Sequence, residues 1–100
     1  MWKITIHEEA ESEILEAARY YEDRAADLGL AFIDEIEKTT QRISENPMTC
    51  PLVGNEIRQA LVARFPYSIL FVIESNKHIR VIAIAHHKRR PGYWRERNQM

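Results

Sequence analysis

Within twelve residues near the C terminus, His86-His87-Lys88-Arg89-Arg90-Pro91-Gly92-Tyr93-Trp94-Arg95-Glu96-Arg97 gathers imidazoles, guanidiniums and large aromatic rings. Imidazoles change charge near neutral pH and can move protons, and guanidiniums can hold an anion. Ordinary packing does not require such a cluster. Lys88, Arg89, Arg90, Arg95 and Arg97 stand against the single Glu96, a net charge of +4 in a chain whose total is −1. The charge is sorted along the whole sequence. Residues 1–46 hold five Lys or Arg against twelve Asp or Glu, while residues 47–100 hold nine against three. Sorting of this kind points to an anionic partner for the second half, or to an acidic half and a basic half that complement each other within one molecule.

Such a segment acts only from a fixed scaffold, and the hydrophobic period shows which elements supply it. Trp2, Ile4 and Ile6 alternate with Lys3, Thr5 and His7, the period of a half-buried strand. Ala10, Ile14, Ala17 or Ala18, Tyr21 and Ala25 then recur at helical spacing, which predicts a helix over about Glu8 to Arg24. The Asp27-Leu28-Gly29 region breaks it. Phe32, Ile33, Ile36, Thr40 and Ile43 give a second helix, which stops near Asn46 because Pro47 cannot continue it and restricts the residue before it. So short a connection makes the pair an antiparallel hairpin.

After a loop from Pro47 to Gly54 the sequence turns to strands: Ile57 to Arg64, Tyr67 to Glu74 and Ile79 to His86, with turns at Pro66 and at Ser75-Asn76. In the first of these, Ile57, Gln59, Leu61, Ala63 and Phe65 share one face, with Arg58, Ala60, Val62 and Arg64 on the other. The last two strands are apolar on both faces, as central strands are. The fold class is α+β: an N-terminal strand, an antiparallel helical hairpin, a mostly antiparallel sheet of three further strands and a short C-terminal segment. One sheet face is left for the two helices to cover.

A chain of 100 residues with 45% hydrophobic content makes one folded domain, residues 1–100, with a modest core. The longest apolar run, around Ile69 to Ile73, is far too short to span a bilayer, and with Met1 to His7 running directly into acidic sequence no secretory signal is expected. A cytoplasmic protein without membrane contact is expected. Cys50 is the only cysteine and reads as an incidental thiol. With no Gly-rich phosphate loop and no His/Cys ligand set, no metal and no nucleotide cofactor is expected.

The layout resembles the RelE/ParE superfamily of small bacterial toxins, through Phe65-Pro66-Tyr67-Ser68-Ile69-Leu70-Phe71 and through Ile82-Ala83-Ile84-Ala85-His86 ahead of Arg89-Arg90-Pro91-Gly92-Tyr93-Trp94. That resemblance covers nearly the whole chain. It implies the toxin of a type II toxin-antitoxin module, held inactive by a cognate antitoxin. The two branches differ in kind: RelE-like members are ribosome-dependent nucleases that cut messenger RNA, whereas ParE-like members poison DNA gyrase.

Cleaving RNA through its own 2′-hydroxyl needs a base, cations for the crowded phosphate and an acid for the leaving oxygen. On the nuclease reading His86 or His87 would be base or acid, Arg58, Arg64 and Arg90 would hold phosphate, and Tyr93 would stack on a base or donate a proton. Two observations weigh against it. RelE-like nucleases carry an arginine directly after the Tyr-like position that opens the third strand, whereas here Tyr67 is followed by Ser68, and a hydroxyl cannot replace a guanidinium fork. The acidic helical half would also be repelled by ribosomal RNA. The resemblance therefore leans to the ParE-like branch, with Lys88, Arg89, Arg90, Tyr93, Trp94, Arg95 and Arg97 meeting gyrase or its DNA. An inactive relative kept as an antitoxin-binding module is the third reading.

For the antitoxin, the resemblance implies an extended segment, often a helix in a groove and a strand on a sheet edge. Strand Ile57 to Arg64 or the N-terminal strand would offer that edge, and Arg58 and Arg64 would meet an acidic segment. Contact with operator DNA is expected only through the antitoxin. Plainer roles stand beside these. His86 and His87 point to opposite faces, so one could cap the sheet while the other is solvated. Tyr93 and Trp94 could staple the tail to the sheet edge, and Arg64 could pair with Glu74 or Glu56. Of Tyr20 and Tyr21, adjacent on a helix, at most one is well buried.

Overall fold

The computed structural model describes residues 2–75 and 77–99. Strand β1 (Lys3–Ile6) leads into helices α1 (Glu8–Arg24) and α2 (Leu28–Glu45). Strands β2 (Leu52–Gly54), β3 (Ile57–Leu61), β4 (Tyr67–Glu74) and β5 (His78–His86) follow, and a short 3-10 helix closes the chain at Arg95–Gln99. The strands form one sheet in the order β1-β5-β4-β3-β2, parallel between β1 and β5 and antiparallel elsewhere.

α1 starts where expected because the His7 Nδ1 accepts the Glu9 N–H at 3.0 Å, and Glu8, Glu9 and Glu11 complement the positive end of the helix. The break between the helices lies at Ala25–Asp27, earlier than the sequence suggested, with Asp27 at a left-handed φ of 67°. Gly29 is no breaker but a packing residue inside α2, where an added Cβ would sit 2.5 Å from the Ala18 carbonyl oxygen. Glu22 closes the connection by accepting the N–H groups of Asp27 at 2.9 Å and Gly29 at 3.0 Å, two donors that the start of α2 would leave orphaned. α2 buries Phe32, Ile36, Thr39 and Ile43 along one stripe and ends at Glu45, before Pro47.

Both helices pack on one face of the sheet, here the inner face, where Phe32, Ile36 and Ile43 meet Ile69, Phe71, Ile79 and Val81. Tyr21, Phe32, Phe65 and Tyr67 form an aromatic knot, with Phe32 edge-on to Phe65 at 5.3 Å and to Tyr67 at 5.1 Å. Tyr21 is thus the inward member of its pair, and Tyr20 is 52% exposed. The outer face carries a second apolar cluster of Ile57, Leu70, Val72, Ile82, Ala83 and Ala85, and its cover is Trp94 with Tyr93 beside it.

Three sequence expectations are corrected. The loop from Pro47 to Gly54 holds a 3-10 turn at Pro47–Thr49 and then β2, so the sheet has four strands after the hairpin rather than three. Strand β3 stops at Leu61, not Arg64, because Arg64 takes a left-handed φ of 72° that no strand can hold. That turn carries Phe65 to the inner face with Ala60 and Val62, away from the face of Ile57. The turn residue Asn76 lies outside the described residues.

A β-bulge decides the faces of β5. Leu70 pairs with Ala83 and Phe71 with Val81, so Ile82 is one residue extra. Ile79 and Val81 face inward ahead of it, and Ile84 faces inward after it, an inversion of the alternation. Everything C-terminal to Ile82 therefore points opposite to where strict alternation from Ile79 would place it.

Candidate functional site

The segment leaving β5 is folded back by backbone hydrogen bonds. The His87 N–H donates to the Pro66 carbonyl at 2.9 Å and the Arg89 N–H to the His86 carbonyl at 3.0 Å, while the His86 Nδ1 accepts the Lys88 N–H at 3.0 Å. Gly92 takes a φ of 84° in the following turn, a conformation costly for any residue with a Cβ. Trp94 then drops onto the outer face, 8% exposed. The tail is stapled to a sheet face and not, as expected, to an edge. Arg80 secures its end by donating to the carbonyls of Arg97 at 3.2 Å and Asn98 at 3.4 Å.

A concavity of about 450 Å³ opens between this segment and the sheet, lined among others by Ser68, Leu70, His87, Arg90, Trp94 and Arg95. His87 Nε2 lies 3.0 Å from Ser68 Oγ. Through the bulge, His86 goes to the other face, edge-on to Tyr67 at 5.0 Å. The imidazoles thus end on opposite faces, and each has a partner. Tyr93 donates its hydroxyl to Glu13 Oε2 at 2.7 Å. Burial and then that carboxylate push its phenol far above the ordinary value, so it holds its proton near neutral pH.

Of the residues that would serve a nuclease, His86, His87, Arg90 and Tyr93 all line the concavity, although the His86 ring itself stacks edge-on with Tyr67. Arg64 does not line it: its guanidinium lies 3.9 Å from Glu35 of α2, not beside Glu74 or Glu56. Glu74 instead meets Arg80 at 3.0 Å and His78 at 3.2 Å. Arg58 is engaged with the preceding loop, donating to the Cys50 carbonyl at 2.6 Å and the Met48 carbonyl at 3.4 Å. Burial pushes the Cys50 thiol up, although Arg42 and Arg58 oppose it.

Among the cations of the tail, Arg97 is half-buried and internally paired, to Glu9 at 3.0 Å and Glu13 at 2.9 Å. Arg89 lies 3.9 Å from the centroid of the Tyr93 ring and 3.7 Å from Glu13. Lys88, Arg90 and Arg95 are exposed and pair with no acid among the described residues. The acidic half of the chain therefore does complement the basic half, through α1, but only in part. Sequence reasoning missed Glu13, one of twelve acids in residues 1–46 with no local mark to single it out. No group of three His, Cys, Asp or Glu converges as a metal site among the described residues.

A helical hairpin on one face of a five-stranded mixed sheet is the RelE/ParE-like α+β fold, here with a cationic tail folded over the other face. Within that class, residues 4–91 match the family described as the ParE toxin of the type II toxin-antitoxin system parDE, and the chain belongs to that family. A chain of the chromosomal ParDE system from P. aeruginosa superposes with a TM-score of 0.75 at 16% identity, over 86% of this chain and 96% of that one. The isolated E. coli RelE toxin superposes with a TM-score of 0.61 at 14% identity, over 99% and 98%. At such identities these two likenesses speak for the fold. A search among curated protein sequences finds no significant match. No helix among the described residues is long and apolar enough to cross a membrane.

Proposed function

We propose that this chain arrests growth by binding DNA gyrase through its cationic C-terminal segment, that it does so without cutting RNA, and that a cognate antitoxin neutralises it. The observation that carries this reading is the engagement of the acid-base groups with internal partners while the cations stay free. His86 stacks edge-on with Tyr67, His87 meets Ser68, Arg64 is beside α2, and the Tyr93 proton is committed to Glu13. General acid-base cleavage needs two proton carriers free to exchange protons with one phosphate. An exposed trio of Lys88, Arg90 and Arg95 instead suits an anionic surface, either acidic protein or the DNA held by it.

Pulse-labelling of DNA and protein synthesis in the first minutes after induction tests the target. Early loss of DNA synthesis is expected, with His87→Ala retaining arrest and joint replacement of Lys88, Arg90 and Arg95 by Gln abolishing it. Two points favour the nuclease reading: the His87–Ser68 contact beside Arg90, and the presence of His86 and Tyr93 on the wall of the same 450 Å³ concavity. Early loss of translation, with a drop of about a hundredfold in His87→Ala, would establish it instead.

For the antitoxin, β3 is not the free edge, because β2 pairs with it at Ile57 and Arg58. β1 is one of the two terminal strands of the sheet, the other being the three-residue β2, and it lies beside a hollow lined among others by Trp2, Ile4, Ile6, Ile14, Ile33 and Ile36. A strand added there would meet both unpaired backbone and apolar surface. An Ile6→Lys variant should arrest growth yet escape neutralisation by the co-expressed antitoxin; normal neutralisation would move the antitoxin elsewhere.

A further inference from the structure

β5 runs from His78 to His86, but β1 accompanies only its first half, from the pair Lys3 and His78 to the pair Ile6 and Val81. The His7 N–H to the Val81 carbonyl, at 2.8 Å, is the last backbone bond on that side among the described residues. Beyond it the β1 side of β5 has no strand among the described residues. Backbone groups in that position need other partners.

Two side chains supply them. Arg97 Nη1 donates to the Ile82 carbonyl at 3.0 Å, and Glu13 Oε1 accepts the Ile84 N–H at 2.9 Å. The same side chains join each other, Nη1 to Oε1 at 2.9 Å and Nη2 to Oε2 at 3.2 Å. On a strand, the carbonyl of one residue and the N–H two residues on point the same way, so the ion pair offers them one donor and one acceptor, as a neighbouring peptide would. Glu13 also accepts the Tyr93 hydroxyl at 2.7 Å and lies 3.7 Å from Arg89. One carboxylate on α1 thus reaches a strand backbone and three residues of the tail, at 13% side-chain exposure.

We infer that Glu13 is the positioning residue of the cationic segment: with Arg97 it takes the place of the strand missing beside β5, and through Tyr93 and Arg89 it holds residues 89–97 so that Lys88, Arg90 and Arg95 face outward. The inference rests on the proposed function only in making growth arrest its second readout. The backbone part stands or falls by itself.

Amide exchange of the free full-length chain, followed by NMR, reads the strand replacement directly. Glu13→Ala should speed exchange at Ile84 by about tenfold or more, leave amides of the β3–β4 ladder within about twofold, and weaken growth arrest by about tenfold. Glu13→Gln covers the case in which that variant fails to fold. It keeps an acceptor for the Ile84 N–H but offers Arg97 and Arg89 no charge, so Ile84 should stay protected while arrest weakens. The sharpest variant reverses the pair, Glu13→Arg with Arg97→Glu. An ordinary ion pair would be rescued, but here a donor would face the Ile84 N–H and an acceptor the Ile82 carbonyl, so neither protection nor arrest should return.

Unchanged Ile84 protection in Glu13→Ala, or recovery in the reversed pair, overturns the strand replacement. Undiminished arrest in both single variants overturns the positioning role. The joint Gln replacement of Lys88, Arg90 and Arg95 should lose arrest with Ile84 still protected, which separates failure of the segment from failure of its support. If arrest proves to act on translation, the target reading fails while the exchange result keeps its meaning.

Discussion

The two faces of the sheet are about equally apolar in their strands but very differently covered. On the inner face, two helices lay Phe32, Ile36 and Ile43 over Ile69, Phe71 and Val81, and the aromatic knot closes one end. On the outer face, Leu70, Val72 and Ile82 depend on Trp94, carried by a tail that ion pairs to Glu9 and Glu13 help to hold. Non-directional burial over many residues makes the first cover insensitive to salt and to single charges. The second combines one buried ring with partly exposed charge pairs, which salt and local opening weaken. Stability is thus concentrated on one face, and the cations available for a partner are concentrated on the other.

Truncations at the centre of each cover would break this comparison if they cost the same. Phe32→Ala, at a fully buried site, should lose about 3–5 kcal/mol in urea unfolding, a large share of the stability of a chain of this size. Trp94→Ala should lose only about 2 kcal/mol, below the usual range for a buried tryptophan, because the tail can detach without opening the inner core. A loss equal to that of Phe32→Ala would make the two faces one cooperative core. Gly29→Ala should cost about 1–2 kcal/mol, since the new methyl meets the Ala18 carbonyl and must push the helices apart; an unchanged melting curve would show the hairpin to be loosely seated.

Alkaline titration gives the smallest and most local contrast. Burial raises Tyr21 and Tyr67 on the inner face and Tyr93 at the tail, the last aided by Glu13. Below pH ~10 all three keep their protons in both folded and unfolded chains, and their contribution is fully present. Above that, the unfolded chain releases protons that the folded chain retains, so stability falls as pH rises. Tyr93→Phe should flatten this fall between pH ~10 and ~11.5 more than Tyr67→Phe does, a difference read by unfolding at several pH values. Equal slopes would mean that Glu13 adds nothing to burial at Tyr93.

Much of the scaffold was legible in the sequence because hydrophobic period is a local property. α1 was placed at its observed ends, β4 likewise, and β5 within one residue of its start. The errors fell where geometry beyond the period decided. β2 is three exposed residues, too short and too polar in its surroundings to show a strand period. Arg64 reads as the end of an alternating strand, yet it sits at a φ of 72°, which no side chain announces.

The sequence by itself determined the α+β order, the helical hairpin, the sorting of charge and the presence of a cationic tail, each set by residue types close together in the chain. Tertiary structure alone decided which histidine faces which way, because a single extra residue at Ile82 inverts the alternation of β5, and alternation carries no record of a bulge. It also decided which cations stay free. Glu13 and Arg97 are 84 residues apart, and their pairing follows from β5 outrunning β1 and leaving backbone groups that some side chain had to satisfy.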